Sequence, residues 1–237
     1  MYRNLNSECT VKTIEILYKR ISERFPSSGL SNVCAELCTI ANETKARSEM
    51  IARPNITLRV GLVTIVLMTL VVLLYSISLI DVKLSSFTLG EFIQIVEAGI
   101  NDLVLMGAAI FFLVTVEARV KRTRALDALH ELRSIAHVID MHQLTKDPSQ
   151  HMGKLVTTPS SPIREMSAFE LTRYLDYCSE MLSLTGKAAA LYAQNFRDAV
   201  VLSAVNEIEI LTTGLSRKIW QKIIILHKLD ENNIQSR

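Results

Sequence analysis

The chain has 237 residues, 49% of them apolar, and its 26 basic and 24 acidic side chains leave a formal net charge of +2. So small a charge names no partner, and the apolar residues are concentrated in two stretches rather than spread through ordinary globular cores. Cys9, Cys34, Cys38 and Cys178 form no CxxC pair, and the basic residues cluster without interleaved aromatics, which excludes a disulfide scaffold and a nucleic-acid groove as leading readings.

In chain order, Ile14, Leu17, Ile21 and Phe25 mark one face of a short amphipathic helix that ends at Pro26 to Gly29. A second helix is predicted from about Ser31, read as its cap, through Val33, Leu37 and Ile40 towards Ala52. Cys34 and Cys38 share its apolar face and read as small core residues. Pro54, which lacks a backbone donor, separates this helix from the first long apolar stretch.

Val60 to Ile80 is a run of 21 residues without a charge, long enough to cross a hydrocarbon core of about 30 Å. The second uncharged run, Leu103 to Val116, has only 14 residues and reaches spanning length when extended to Ala98, which admits Asn101 and Asp102 near one end. Lys45, Arg47, Arg53 and Arg59 precede the first span, and Arg119, Lys121, Arg122, Arg124 and Arg133 come after the second. Only Lys83 lies between them. Positive charge stays on the cytoplasmic side of short flanks, so both termini are expected in the cytoplasm, with an external hairpin from Asp81 to about Glu97. The first 55 residues are too polar for a cleaved signal, and the first span is expected to act as signal and anchor.

Thr88 and Glu91 have capping-box spacing, and the chain then holds no proline before Asp147. One helix from Leu89 to Lys146 would be on the order of 85 Å long, so about half of it would stand beyond the membrane core of about 30 Å. In its cytoplasmic half Ala125, Leu129, Leu132, Ala136 and Ile139 are spaced four, three, four and three, the seam of a helix packed lengthwise on a partner, as in a coiled coil.

The same stretch holds His130, His137 and His142. His130 and His137 are about 10 Å apart along the axis, too far to share a metal, and His142 points elsewhere. No HxxxH or HExxH motif is present, and no metal or cofactor is expected. His137 and Asp140, at i and i+3, form a candidate pH-sensitive contact.

A proline-bearing linker covers residues 148–166. Ser167 with Glu170 then restarts a helix whose Leu171, Leu175, Cys178 and Leu182 face one way, and which Gly186 is expected to end or bend. The last segment, Lys187 to about Leu229, carries Leu191, Val201, Val205, Ile208, Leu211, Leu215, Ile219 and Leu226 on a face that needs cover.

The expected architecture is an all-α membrane protein: a two-helix transmembrane hairpin, a cytoplasmic helical bundle, and a long helix continuing from the second span. Its parts are the amino-terminal helices (1–54), the hairpin (55–118, spans about 58–80 and 98–117), the cytoplasmic extension (119–147), the linker and the carboxy-terminal helices (167–237).

Within the second span, Ala98, Asp102, Met106, Ala109 and Leu113 share a side, with Glu117 close to it. Several copies with this face turned inward would make an outer acidic ring at Asp102, an apolar constriction at Leu113 and an inner acidic ring at Glu117, which is how a cation path with a hydrophobic gate is built. The competing reading makes Asp102 the headgroup end of an undistinguished helix. Gly107, Ala108 and Ala109, with Gly61 and Thr64 on the first span, are small enough for close helix packing.

No phosphate loop, GxSxG elbow or carboxylate cluster suggests an enzyme. In architecture alone, two spans with cytoplasmic helices resemble the small membrane effectors of bacterial defence systems, some of which assemble into pores. The expected function is a homo-oligomeric two-span inner-membrane pore or ion channel controlled by its cytoplasmic bundle; the alternative is a non-conducting membrane-anchored adaptor. The lipid bilayer, further copies of the chain and a cytoplasmic protein are the expected partners, and nucleic acid is not.

Overall fold

A computed structural model describes residues 4–79, 88–148 and 166–235. Among these there is no strand. The helices are α1 (Ser7–Arg24), α2 (Gly29–Ala52), α3 (Ile56–Leu79), α4 (Leu89–Leu144), α5 (Ala168–Asn195) and α6 (Ala199–Gln235). The chain divides into two compact units, one of residues 1–52 and 124–237, the other of residues 53–123; α4 supplies residues to both. The external connection expected from Asp81 to Glu97 falls partly, and the linker of residues 148–166 mostly, outside the described residues.

The first unit is a helical bundle with a closed apolar core. Asn6 caps α1 by accepting from the backbone N–H groups of Glu8 and Cys9, and Ile14, Leu17 and Ile21 turn inward as their spacing demands. Between α1 and α2 the chain turns at Ser27, in the left-handed region at φ 58°. Here the structure differs from the sequence reading: α2 begins at Gly29, and Ser31 is no cap but lies buried inside the first turn. The Ser28 hydroxyl accepts from the Ser31 N–H at 3.2 Å, doing the job assigned to Ser31.

All five seam residues of α4, from Ala125 to Ile139, are buried, and they belong to the same core as Leu37 of α2, Leu175 of α5 and Ile219 of α6. The seam is thus covered within one chain. Exposed ion pairs mark the register: Arg20 makes two bonds to Glu180, 2.7 and 3.1 Å, Arg47 meets Glu131 at 2.7 Å, and Arg133 meets Glu207 at 3.1 Å. Such pairs add about 0–1 kcal/mol each, so the apolar core carries the stability.

The Ser167 and Glu170 capping box forms as its spacing predicts. Gly186, however, does not end α5, which runs on to Asn195. A Cβ at Gly186 would lie 3.0 Å from Thr212 Oγ1, so the glycine allows α5 and α6 to approach closely. The break comes after Asn195. Asp198 then starts α6 by accepting from the N–H groups of Val200 at 3.0 Å and Val201 at 3.3 Å.

The second unit contrasts with this. α3 is 24 residues long with Arg59 as its one charged residue, and none of its described side chains is buried. On α4 the apolar stretch after Phe92 reaches a mean hydropathy of 2.0 with none of it buried, so it is long and apolar enough to cross a membrane. α6 passes the same composition test, at a mean hydropathy of 1.3 over Ala199–Leu229, but its apolar residues are sided: Val201, Val205, Ile208, Leu215, Ile219, Ile223 and Leu226 are buried in the bundle. It is a core helix of the first unit.

Candidate functional site

Helical phase places Asp102, Met106 and Ala109 on one side of α4, and these three are half-buried, whereas Leu103, Leu105 and Phe111 are each more than two-thirds exposed. The Leu113 side chain lies outside the described residues. On α3 the half-buried positions among those described inside the helix are Val66 and Thr69. The face read as pore-lining is therefore partly shielded in a single chain. Asp102 makes no hydrogen bond or ion pair among the described residues.

Glu117 has a defined task. One carboxylate oxygen accepts from the Asn55 backbone N–H at 3.1 Å and from Lys121 Nζ at 3.0 Å, and the other lies 3.9 Å from Arg59 Nε. It thereby ties the residues that open α3 to the part of α4 expected at the cytoplasmic end of the second span. The local reason is Pro54: it stops α2 from continuing, and the first free N–H of α3 needs an acceptor. The carboxylate is visible in the sequence; its backbone donor, 62 positions earlier, is not.

Gly61, Thr64, Gly107 and Ala108 are exposed. A Cβ at Gly61 or Gly107 would meet nothing within 4 Å, so the small-residue stripes are open rather than filled by a neighbour in the chain. Thr64 returns its hydroxyl to the Val60 carbonyl at 2.9 Å, the back-bond that a helical threonine commonly makes to the preceding turn.

In the bundle, Leu129, Leu132 and Ile139 are core residues. His130 and His137 are exposed. The Asp140 carboxylate, expected beside His137, accepts instead from Gln143 Nε2 at 2.6 Å. The histidine that does reach a packed contact is His142, whose Nδ1 lies 3.4 Å from the Tyr174 hydroxyl. Burial, then the nearby Lys146, holds His142 below its ordinary value of 6.5. Lys222 of α6 makes a contact that spacing does not predict: its ammonium donates to the Gln143 carbonyl at 2.8 Å and to Gln143 Oε1 at 2.7 Å, closing the last turn of α4. A lysine amid leucines and isoleucines on a long helix is the one available signal.

Among the described residues no three or more His, Cys, Asp or Glu side chains converge as metal ligands would. Cys178 is buried in the core, and burial pushes its thiol up to about 12, so it is held as an inert small residue. No family model, curated protein or solved structure matches this chain.

Proposed function

We propose that this is a two-span inner-membrane protein with both termini cytoplasmic, which assembles with copies of itself into a pore controlled from its helical bundle. The observation that carries the reading is α4, one uninterrupted helix of 56 residues that bears Asp102 in an exposed apolar stretch and, nearer its end, the buried seam from Ala125 to Ile139. In this reading the seam and Asp102 belong to one helix, in which neither proline nor a described break occurs. The open stripes at Gly61, Thr64, Gly107 and Ala108 support association of several copies, since they leave room for another backbone.

Planar-bilayer recording of purified protein tests the reading. Conductance is expected, reduced in cation selectivity by Asp102→Asn and raised or ungated by Leu113→Ala; absence of conductance, or currents indifferent to both changes, sinks it.

A specific observation favours a second reading. Glu117 is used by Asn55 and Lys121 within the chain, and the Asp102 face is half-covered, as expected of a hairpin that anchors and does not conduct. In that case the bundle is a membrane-held adaptor. Cross-linking in membranes separates the two: a ladder of one chain type supports the pore, and a single foreign protein in stoichiometric yield supports the adaptor.

A further inference from the structure

The last turn of α4 is gripped from two sides that differ chemically. On one side the Lys222 ammonium of α6 meets two Gln143 oxygens. Burial opposes its charge, while Asp147, just beyond α4, and Asp140 favour it. That cation is matched by acceptors. On the other side the His142 ring is wedged against α2 and α5. A Cβ at Gly29 would stand only 2.6 Å from His142 Cε1, so the ring rests on the opening backbone of α2 in space that glycine alone leaves free. Beyond it stands Tyr174 of α5, whose hydroxyl is 3.4 Å from the ring nitrogen and whose own ring carries the Lys146 ammonium 5.2 Å from its centre.

The charged groups around this imidazole can be named from each side. The end of α4 brings Lys146, which opposes a second positive charge; α5 brings the Tyr174 hydroxyl; the start of α2 brings Ser28 and Gly29, which carry no charge. α6 presents Lys222 to Gln143 rather than to the histidine, and Asp140 is engaged by Gln143. Neutral His142 suits the wedge, and imidazolium does not.

We propose that the end of α4 is a pH-sensitive clamp, in which neutral His142 holds α4 against α2 and α5 and protonation withdraws it. The clamp is a property of the bundle and holds whether or not the chain conducts. The sign comes from linkage. His142 takes up its proton less readily when folded than when unfolded, so its contribution to stability is whole above the ordinary value of 6.5 and is lost as the pH falls below it. On release, the ring swings away from Gly29 and Tyr174 towards water, leaving Lys222 to hold the other side of the turn.

Hydrogen exchange and histidine NMR on the full chain in lipid nanodiscs test this at about pH 7.5 and about pH 5, the two sides of the histidine range. After correction for intrinsic exchange chemistry, amides at the start of α2 and the end of α4 are expected to exchange severalfold faster at the lower pH, with a His142 midpoint below the ordinary histidine value of 6.5. His142→Gln, which keeps a polar group for Tyr174 and cannot titrate there, should abolish the acid-induced rise. Lys146→Met should raise the midpoint and supplies the test if the first variant fails to fold. Gly29→Ala should displace the ring and speed exchange already at neutral pH. Equal corrected exchange at both pH values, an unchanged rise in His142→Gln, or a midpoint unmoved by Lys146→Met would each overturn the clamp.

Discussion

The bundle and the segment of residues 53–123 draw on the same apolar residue types and use them in opposite ways. Leu132 is 0% exposed in the bundle, while Phe111, on the same helix, is 74% exposed. Burying a large apolar side chain is worth roughly 1.5–3 kcal/mol, so a run such as Val60, Val63, Leu67, Met68, Val71 and Leu74, all more than half exposed, is too costly to leave in water. One region completes its core from its own chain. The other leaves its large apolar side chains uncovered in the single chain.

Substitutions should fall differently on the two regions. The largest effect is expected for Leu132→Ala, which opens a cavity in the bundle and should cost about 2–5 kcal/mol in denaturant unfolding, whereas Phe111→Ala should leave the same transition where it was. The fluorescence of Trp220, the single tryptophan and a residue of α6, reports the unfolding. Equal losses from the two variants would refute the contrast.

Glycines provide the next largest difference. Gly186→Val meets Thr212 in the tight α5 and α6 crossing and should cost about 1–3 kcal/mol, read as a lowered Tm of the bundle. Gly61→Ala and Gly107→Ala meet nothing in the chain and should leave that Tm unchanged, while bulkier Gly107→Leu should reduce cross-linked oligomers if copies associate there. A smaller loss, about 1 kcal/mol, is expected when Asp198→Ala removes the α6 cap, checked by the same melts. The smallest effect should come from Glu117. Glu117→Ala frees the Asn55 N–H and should speed tryptic cleavage at Arg53 modestly; Glu117→Gln, which still accepts that bond, should do so less.

Helices and their inward faces were legible because a 3.6-residue period records burial directly: Ile14, Leu17 and Ile21, the α4 seam, and Leu171, Leu175 and Leu182 of α5 all lie where their spacing puts them. Caps were legible only where donor and acceptor are near in sequence, as at Ser167 and Glu170. Gly186 misled because glycine serves both to end a helix and to admit a neighbouring one, and only the position of Thr212 distinguishes these uses. The histidine stretch misled differently. His137 and Asp140 have pairing spacing along α4, but Gln143 is also within one turn and takes the carboxylate, while His142 finds its partners on α2 and α5.

By itself the sequence determined that the chain is helical, that Pro54 separates two helices, and that two apolar stretches carry almost no charge. These are local properties, set by residue type and by periods of three or four. The tertiary structure decided which neighbour covers the α4 seam, that Glu117 holds the start of α3, and that Lys222 and His142 meet their partners at the last turn of α4. The His142–Tyr174, Asn55–Glu117 and Lys222–Gln143 contacts join residues 32, 62 and 79 positions apart, and no local pattern encodes which of several equally suitable partners the packed chain brings within reach.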